Sequence, residues 1–130
     1  MPIRLNWYGN SHRMILIRFI GAWQVADFIT ALDNSANMIH SAQHPVHLIY
    51  DFSNSGATPR DLLAGLHHAN RIAPANQGVM VYVNANAVIK AFVLMAKRAG
   101  LPMSRHIYHA DSHADAYRMI IDKAHLVQSV

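Results

Sequence analysis

Residues 46–63 read VHLIYDFSNSGATPRDLL, and the architecture turns on them. The run 46–52 is apolar enough for a central strand buried on both faces. It leaves on Asp51 into a loop of small and polar residues that contains Ser53, Ser55 and Gly56. A helix is expected to start at Thr58-Pro59. Thr58 suits the N-cap and Pro59 the first helical position. Asp61, three residues after the cap, makes a capping box with Asp in place of Glu. Leu62, Leu63, Leu66, Ala69 and Ile72 supply the apolar side, and Pro74 stops the helix. Strand, loop and helix in this order form one step of an α/β fold.

Working outward, the pattern repeats. Residues 3–8 and 13–20 read as strands joined by Asn10-Ser11-His12, a short connection that implies an antiparallel hairpin. Arg18 interrupts the second of them and places that stretch at an edge or a polar face. Val25, Phe28, Leu32, Ala36 and Ile39 recur at helical spacing. That helix ends before His44-Pro45, because a residue preceding proline resists the helical region. Residues 78–83 form a fourth strand, 84–86 a cap-like turn, and 87–100 a helix closed by Gly100 with Pro102 beyond. A short strand over 105–109 and a helix over 111–126, capped by Asp111 or Ser112, complete the chain. The order is ββαβαβαβα. It predicts an α/β domain over residues 1–130 with a five-stranded, mostly parallel sheet, an N-terminal antiparallel hairpin and four helices.

The composition suits a folded domain: 130 residues, 52% hydrophobic and 14% charged. Cysteine is absent, which excludes disulfides, thiol nucleophiles and thiolate metal sites. No stretch has the length of a signal peptide's apolar core or of a membrane span, so a cytoplasmic protein is expected. The net charge is +4, and all seven acids are Asp. Lys and Arg are dispersed, with Lys97-Arg98 the sole adjacent pair, a pattern that does not point to nucleic acid. Protonation of all ten histidines would add ten charges to the +4, so stability or self-association should weaken toward pH 5.

The element order, the LIYDFS strand end and the helix that follows resemble the STAS and SpoIIAA-like group over nearly the whole chain. That group includes anti-sigma-factor antagonists and cytoplasmic domains of sulfate transporters. The resemblance implies a regulatory module whose second helix and preceding loop face a protein partner. In the antagonists that helix opens with Asp-Ser-Ser-Gly or Asp-Ser-Thr-Gly, where a kinase phosphorylates a hydroxyl. Here the residues are ATPRDLL. Thr58 is the one hydroxyl on offer and it precedes Pro59, so an N-cap is expected there in preference to a phosphoacceptor.

In an open α/β sheet, ligands sit beyond the carboxyl ends of the parallel strands. That rule collects Asp51, Ser53, Ser55, Gly56, Thr58, Asn84, Asn86 and His109 on one rim. Such a rim suits a small anionic ligand or a partner's carboxylate. Equally, Asp51 and Ser53 can satisfy loop amides while Asn84 and Asn86 cap a helix. Arg60, His67 and Arg71 fall along one side of the second helix and form a candidate partner surface, for another protein or for a second copy in a homodimer. A lipid-like ligand in a pocket at the rim is a further alternative on fold analogy. A metal-dependent enzyme using His106, His109 and His113 is the weakest: on a strand the first two point to opposite faces. There is no Gly-x-Ser-x-Gly elbow, no carboxylate pair and no phosphate loop. No catalytic residue, metal or cofactor is expected. Trp7, Tyr8 and Trp23 read as core or hairpin packing, and Met14, Met38, Met80, Met95, Met103 and Met119 as core fillers.

Overall fold

A computed structural model describes residues 2–124. The strands are β1 (Ile3–Trp7), β2 (Met14–Gly21), β3 (Val46–Ser55), β4 (Gln77–Val83) and β5 (Ile107–Ala110). The α-helices are α1 (Val25–His40), α2 (Leu62–Ile72), α3 (Ala87–Arg98) and α4 (His113–Lys123). The five strands form one sheet in the order β1-β2-β3-β4-β5, antiparallel at β1/β2 and parallel elsewhere. Each parallel pair is joined by a helical crossover. Right-handed crossovers that step in one direction place α1, α2 and α3 on the same face. The terminal helix α4 packs on β3, β4 and β5 from the other side.

The alternation of side chains along β3 builds two cores. Val46, Leu48, Tyr50 and Phe52 face α1–α3 and join Ile15, Ile17, Phe19, Met80 and Ile107. Ile49 faces α4 with Val79, Val81, Val83, Ala116 and Ile120. Phe19 anchors an aromatic cluster on the first face, with ring centroids 4.9 Å from Trp23 and 4.4 Å from Phe52. Tyr50 stacks on Tyr82 at 4.8 Å, and burial raises both phenols above their usual range.

Two registers slip along β3, and a side chain repairs each. Between Val46 and Leu48 the pairing with β4 shifts, and the His47 ring fills the gap: its Nδ1 accepts the Val79 N–H at 2.9 Å. At Gly78 a Cβ would lie 2.6 Å from the His47 Cε1, so only glycine lets the ring in. Burial lowers the His47 pKa, and nearby Arg13 and His44 lower it further. The neutral form, which can accept, is thus the folded form. Opposite Arg18 to Ile20 of β2 the register shifts again, and the Asp51 Oδ1 accepts the Ser53 N–H at 2.9 Å.

Several expectations change. β3 runs on to Ser55, so Ser53 and Ser55 end a strand instead of sitting in a loop. α2 starts at Leu62, three residues after the expected first helical residue Pro59, and Thr58 does not cap it. Asp61 occupies the N-cap position without a side-chain cap bond, and Arg60 lies in the turn before the helix. Residues Pro102–His106 form a 3₁₀ turn, opened by proline at its first position, before the shorter β5. Leu63 and Met95, expected in the core, are 38% and 52% exposed. Ser112 caps α4 through the Asp115 N–H, and the last two expected residues of that helix lie outside the described residues. Among the described residues, no helix is long and apolar enough to cross a membrane.

Gly78→Ala should force the His47 ring off Val79, costing about 1–3 kcal/mol in urea denaturation. The pH dependence has a definite sign. His47 and His109 both titrate below their unfolded value in the folded chain, so the unfolded chain binds more protons on acidification. Their stabilisation is complete above about pH 6.5 and is lost as pH falls toward the folded values. The melting temperature should drop between neutral pH and pH 5, and less steeply in His47→Asn, whose amide oxygen accepts without titrating.

Candidate functional site

Parallel strands bring the exits of β2, β3, β4 and β5 to one rim, and backbone bonds close it. Gly56 N–H donates to the Gly21 carbonyl at 2.8 Å, and Asn84 N–H to the Ala110 carbonyl at 3.0 Å. A Cβ at Gly56 would come 3.0 Å from the Gly21 carbonyl carbon and oxygen, which explains the glycine. Gly21 itself has φ +63° and Asn84 φ +55°, the left-handed turn that Gly and Asn adopt most readily.

The polar side chains of the rim bond mainly to one another. Trp23 Nε1 donates to Ser55 Oγ at 2.7 Å, and the Ser55 hydroxyl donates in turn to the Gly56 carbonyl at 3.1 Å. Asn84 Nδ2 donates to Ser53 Oγ at 2.8 Å. Asn86 Nδ2 donates to Thr58 Oγ1 at 2.9 Å, while its Oδ1 caps α3 through the Ile89 N–H. Thr58 therefore ties its loop to α3. Asn86 caps a helix as expected, whereas Asn84 braces the β3 end.

Asp51 is the buried centre of this rim, 8% exposed. Its Oδ2 accepts from His113 Nε2 at 2.7 Å. Burial opposes ionisation of the carboxyl, but hydrogen bonds from Ser53, with the bond and charge of His113, hold its pKa below the usual value. His113 opens α4 and its ring meets Tyr8 edge-on at 6.2 Å. The rim histidine that reaches Asp51 is therefore His113, not His109. His109 lies on the opposite sheet face, edge-on to Tyr82 at 5.9 Å, with a buried Nδ1 that has no hydrogen-bond partner. Burial lowers its pKa, and Lys90 and Lys97 add to the effect. His106 sits in the 3₁₀ turn.

These positions limit the chemistry. The rim hydroxyls of Ser53, Ser55 and Thr58 take bonds from neutral N–H groups, and none bonds to a histidine. Among the described residues no three His or Asp side chains lie close enough to hold a metal ion.

α2 presents a different surface. Arg60, Asp61, Leu63, Ala64, His67 and Arg71 are exposed on it and on the turn before it. His68, beside His67, instead reaches α1: its Nε2 donates to Asp33 Oδ1 at 2.7 Å, and Arg71 donates to its Nδ1 at 3.1 Å. Arg71 is thereby steadied at the surface. Arg60 leaves that stripe and borders a groove with Trp23, Gln24 and Pro59 at the start of α1.

His47 escaped the sequence reading, and His113 entered it only as one of three candidate metal ligands, not as the partner of Asp51. A polar residue inside the apolar run 46–52 was a signal that a buried partner existed. His113 lacked such a sign, because its pairing with Asp51 spans the whole rim.

No family model matches the chain, and no curated protein matches it. Solved structures do. The structure of the Bacillus cell fate determinant SpoIIAA in the phosphorylated form superimposes with a TM-score of 0.54 at 13% identity, covering 91% of this chain and 98% of that one. The anti-sigma factor antagonist SpoIIAA in its unphosphorylated form gives 0.52 at 12% identity, covering 98% and 99%. The chain has the SpoIIAA fold, as the STAS resemblance implied.

His113→Ala would leave a buried carboxylate oxygen without its donor, and should lower stability by about 1–3 kcal/mol in urea denaturation at neutral pH.

Proposed function

We propose that the chain is a non-enzymatic regulatory module of STAS-like type that engages a protein partner through α2 and the loop before it. One observation carries this reading. The rim's polar groups bond mainly to one another, while Arg60 and His67 stand exposed and Arg71, also exposed, is steadied by His68, which pairs with Asp33 of α1. The first set gives rigidity to the loops, and the second gives a surface free to dock. Guanidinium groups suit such a role because they bind carboxylates in a fixed fork geometry. Solved structures of an anti-sigma factor antagonist share the fold, and regulation by protein contact fits that description.

A second reading has the groove at Trp23, Gln24, Pro59, Arg60 and Asp61 in its support: a small molecule whose anionic group meets Arg60, with the Asp61 carboxylate on the same wall. Native mass spectrometry of the purified protein reports a retained ligand and the oligomeric state in one spectrum.

The main reading is tested by cross-linking the wild-type chain and an Arg60→Asp/Arg71→Asp variant in the same cell extract. Proteins captured by the wild type should be lost by the variant at unchanged circular dichroism. An identical captured set would overturn the reading.

A further inference from the structure

We infer that two copies of the chain join along β1, each adding its edge strand to the other in antiparallel pairing about Leu5. The contact is separate from the α2 reading, because α1 lies between β1 and α2.

β1 lacks the usual defences of an edge strand. Its register with β2 runs from Ile3 to Trp7 without a bulge, and Arg4 is its one charged residue. The hydrogen bonds at the two ends of this ladder show which backbone groups are free. Tyr8 N–H donates to the Met14 carbonyl at 2.8 Å, and Ile20 N–H to the Pro2 carbonyl at 2.7 Å. In an antiparallel ladder, bonded pairs alternate with unbonded ones. Arg4 and Asn6 therefore turn their backbone groups toward β2, and Ile3, Leu5 and Trp7 turn theirs outward. Each of these three offers both an N–H and a carbonyl along the open edge.

These outward groups match their own two-fold copy. With Leu5 opposite Leu5 of the second copy, Ile3 falls opposite Trp7 and Trp7 opposite Ile3. All three are then bonded pairs, and each exchanges both of its N–H···O bonds. An unrelated strand would need a pattern of its own to fit this edge; a second copy already has it. The side chains agree with the register. Ile3, Leu5 and Trp7 point to the α1 side, where Leu5 and Trp7 are only half-buried and gain cover from the added strand. On the other side Arg4 falls opposite Asn6 and not opposite Arg4, so each guanidinium meets a neutral amide oxygen. A groove between β1 and α1 is lined by Ile3, Leu5, Asn34 and Met38. Its two α1 residues carry no charge, and Asp33 turns away to His68 of α2. The α1 helices of two copies can thus approach across the two-fold without like charges in contact.

The test is made on the full chain. Sedimentation equilibrium from about 1 to about 100 μM should show monomer and dimer and no larger species, because a two-fold contact closes on itself. Amide hydrogen exchange in the dimer should protect Ile3, Leu5 and Trp7 as well as Arg4 and Asn6; dilution should expose the first three alone. Asn6→Arg sets a guanidinium against Arg4 twice in the dimer and should weaken it roughly tenfold. Arg4→Asp/Asn6→Arg makes both contacts opposite in charge and should restore it. Added salt should strengthen the wild-type dimer, because Arg4 pairs across the ladder with Arg18 and both copies bring these arginines to one face. A monomer throughout, larger assemblies, a dimer whose Ile3, Leu5 and Trp7 amides exchange freely, or one indifferent to Asn6→Arg overturns the inference. So does a dimer lost in Arg60→Asp/Arg71→Asp, which places the contact on α2. That variant should dimerise as the wild type does, so the failure of either reading leaves the other standing.

Discussion

Strand β3 is buried on both faces, and that burial governs what its polar residues can do. Every residue from Val46 to Phe52 is buried, so His47 and Asp51 must find partners inside the protein. An unpaired buried polar group costs several kcal/mol at most and about one at least. Both residues meet the demand in the same way, by accepting a backbone N–H where the ladder slips: Val79 for His47 and Ser53 for Asp51. The strand's irregularities and its polar residues explain each other. The second Asp51 oxygen then draws in His113 and pins the start of α4 to the sheet.

From that pin the rest of the rim follows. Ser53, one bond from Asp51, receives Asn84 from the next strand's exit; Ser55 receives Trp23 from the previous one; Thr58 receives Asn86. Side-chain bonds thus clip the loops after β2, β3 and β4 together, supplementing the two backbone bonds. A rim held this way resembles a buckle more than a binding cleft. The docking surface proposed for α2 lies outside this buckle.

The fold was legible because its signals were local and redundant. Apolar runs, proline and glycine stops and helical spacing agreed for every strand and every α-helix. Boundaries failed where one local signal competed with tertiary structure. Thr58-Pro59-Arg60-Asp61 has the chemistry of a helix start, yet the bond from Asn86 holds Thr58 in the loop and the helix waits until Leu62. Met95 and Leu63 failed for a different reason. Hydrophobicity predicts burial only on average, and an apolar residue kept at the surface looks the same in a sequence as one in the core. For site residues, positions were readable and partners were not: that Asp51 and His113 share a rim follows from topology, but their bond joins side chains 62 residues apart and leaves no local signal.

The strand order carries one more implication. Every strand pairs with its immediate neighbour in the chain, with no strand inserted later between two earlier ones. Each new strand can therefore add to an edge that already exists, beginning from the β1/β2 hairpin, and the loops to be closed are those of single crossovers. The growing edge comes to rest at β5, only four residues long, entered from a 3₁₀ turn and left through the α4 cap. So short a margin offers little template for a stray strand, so the layout that eases assembly also discourages edge-to-edge aggregation.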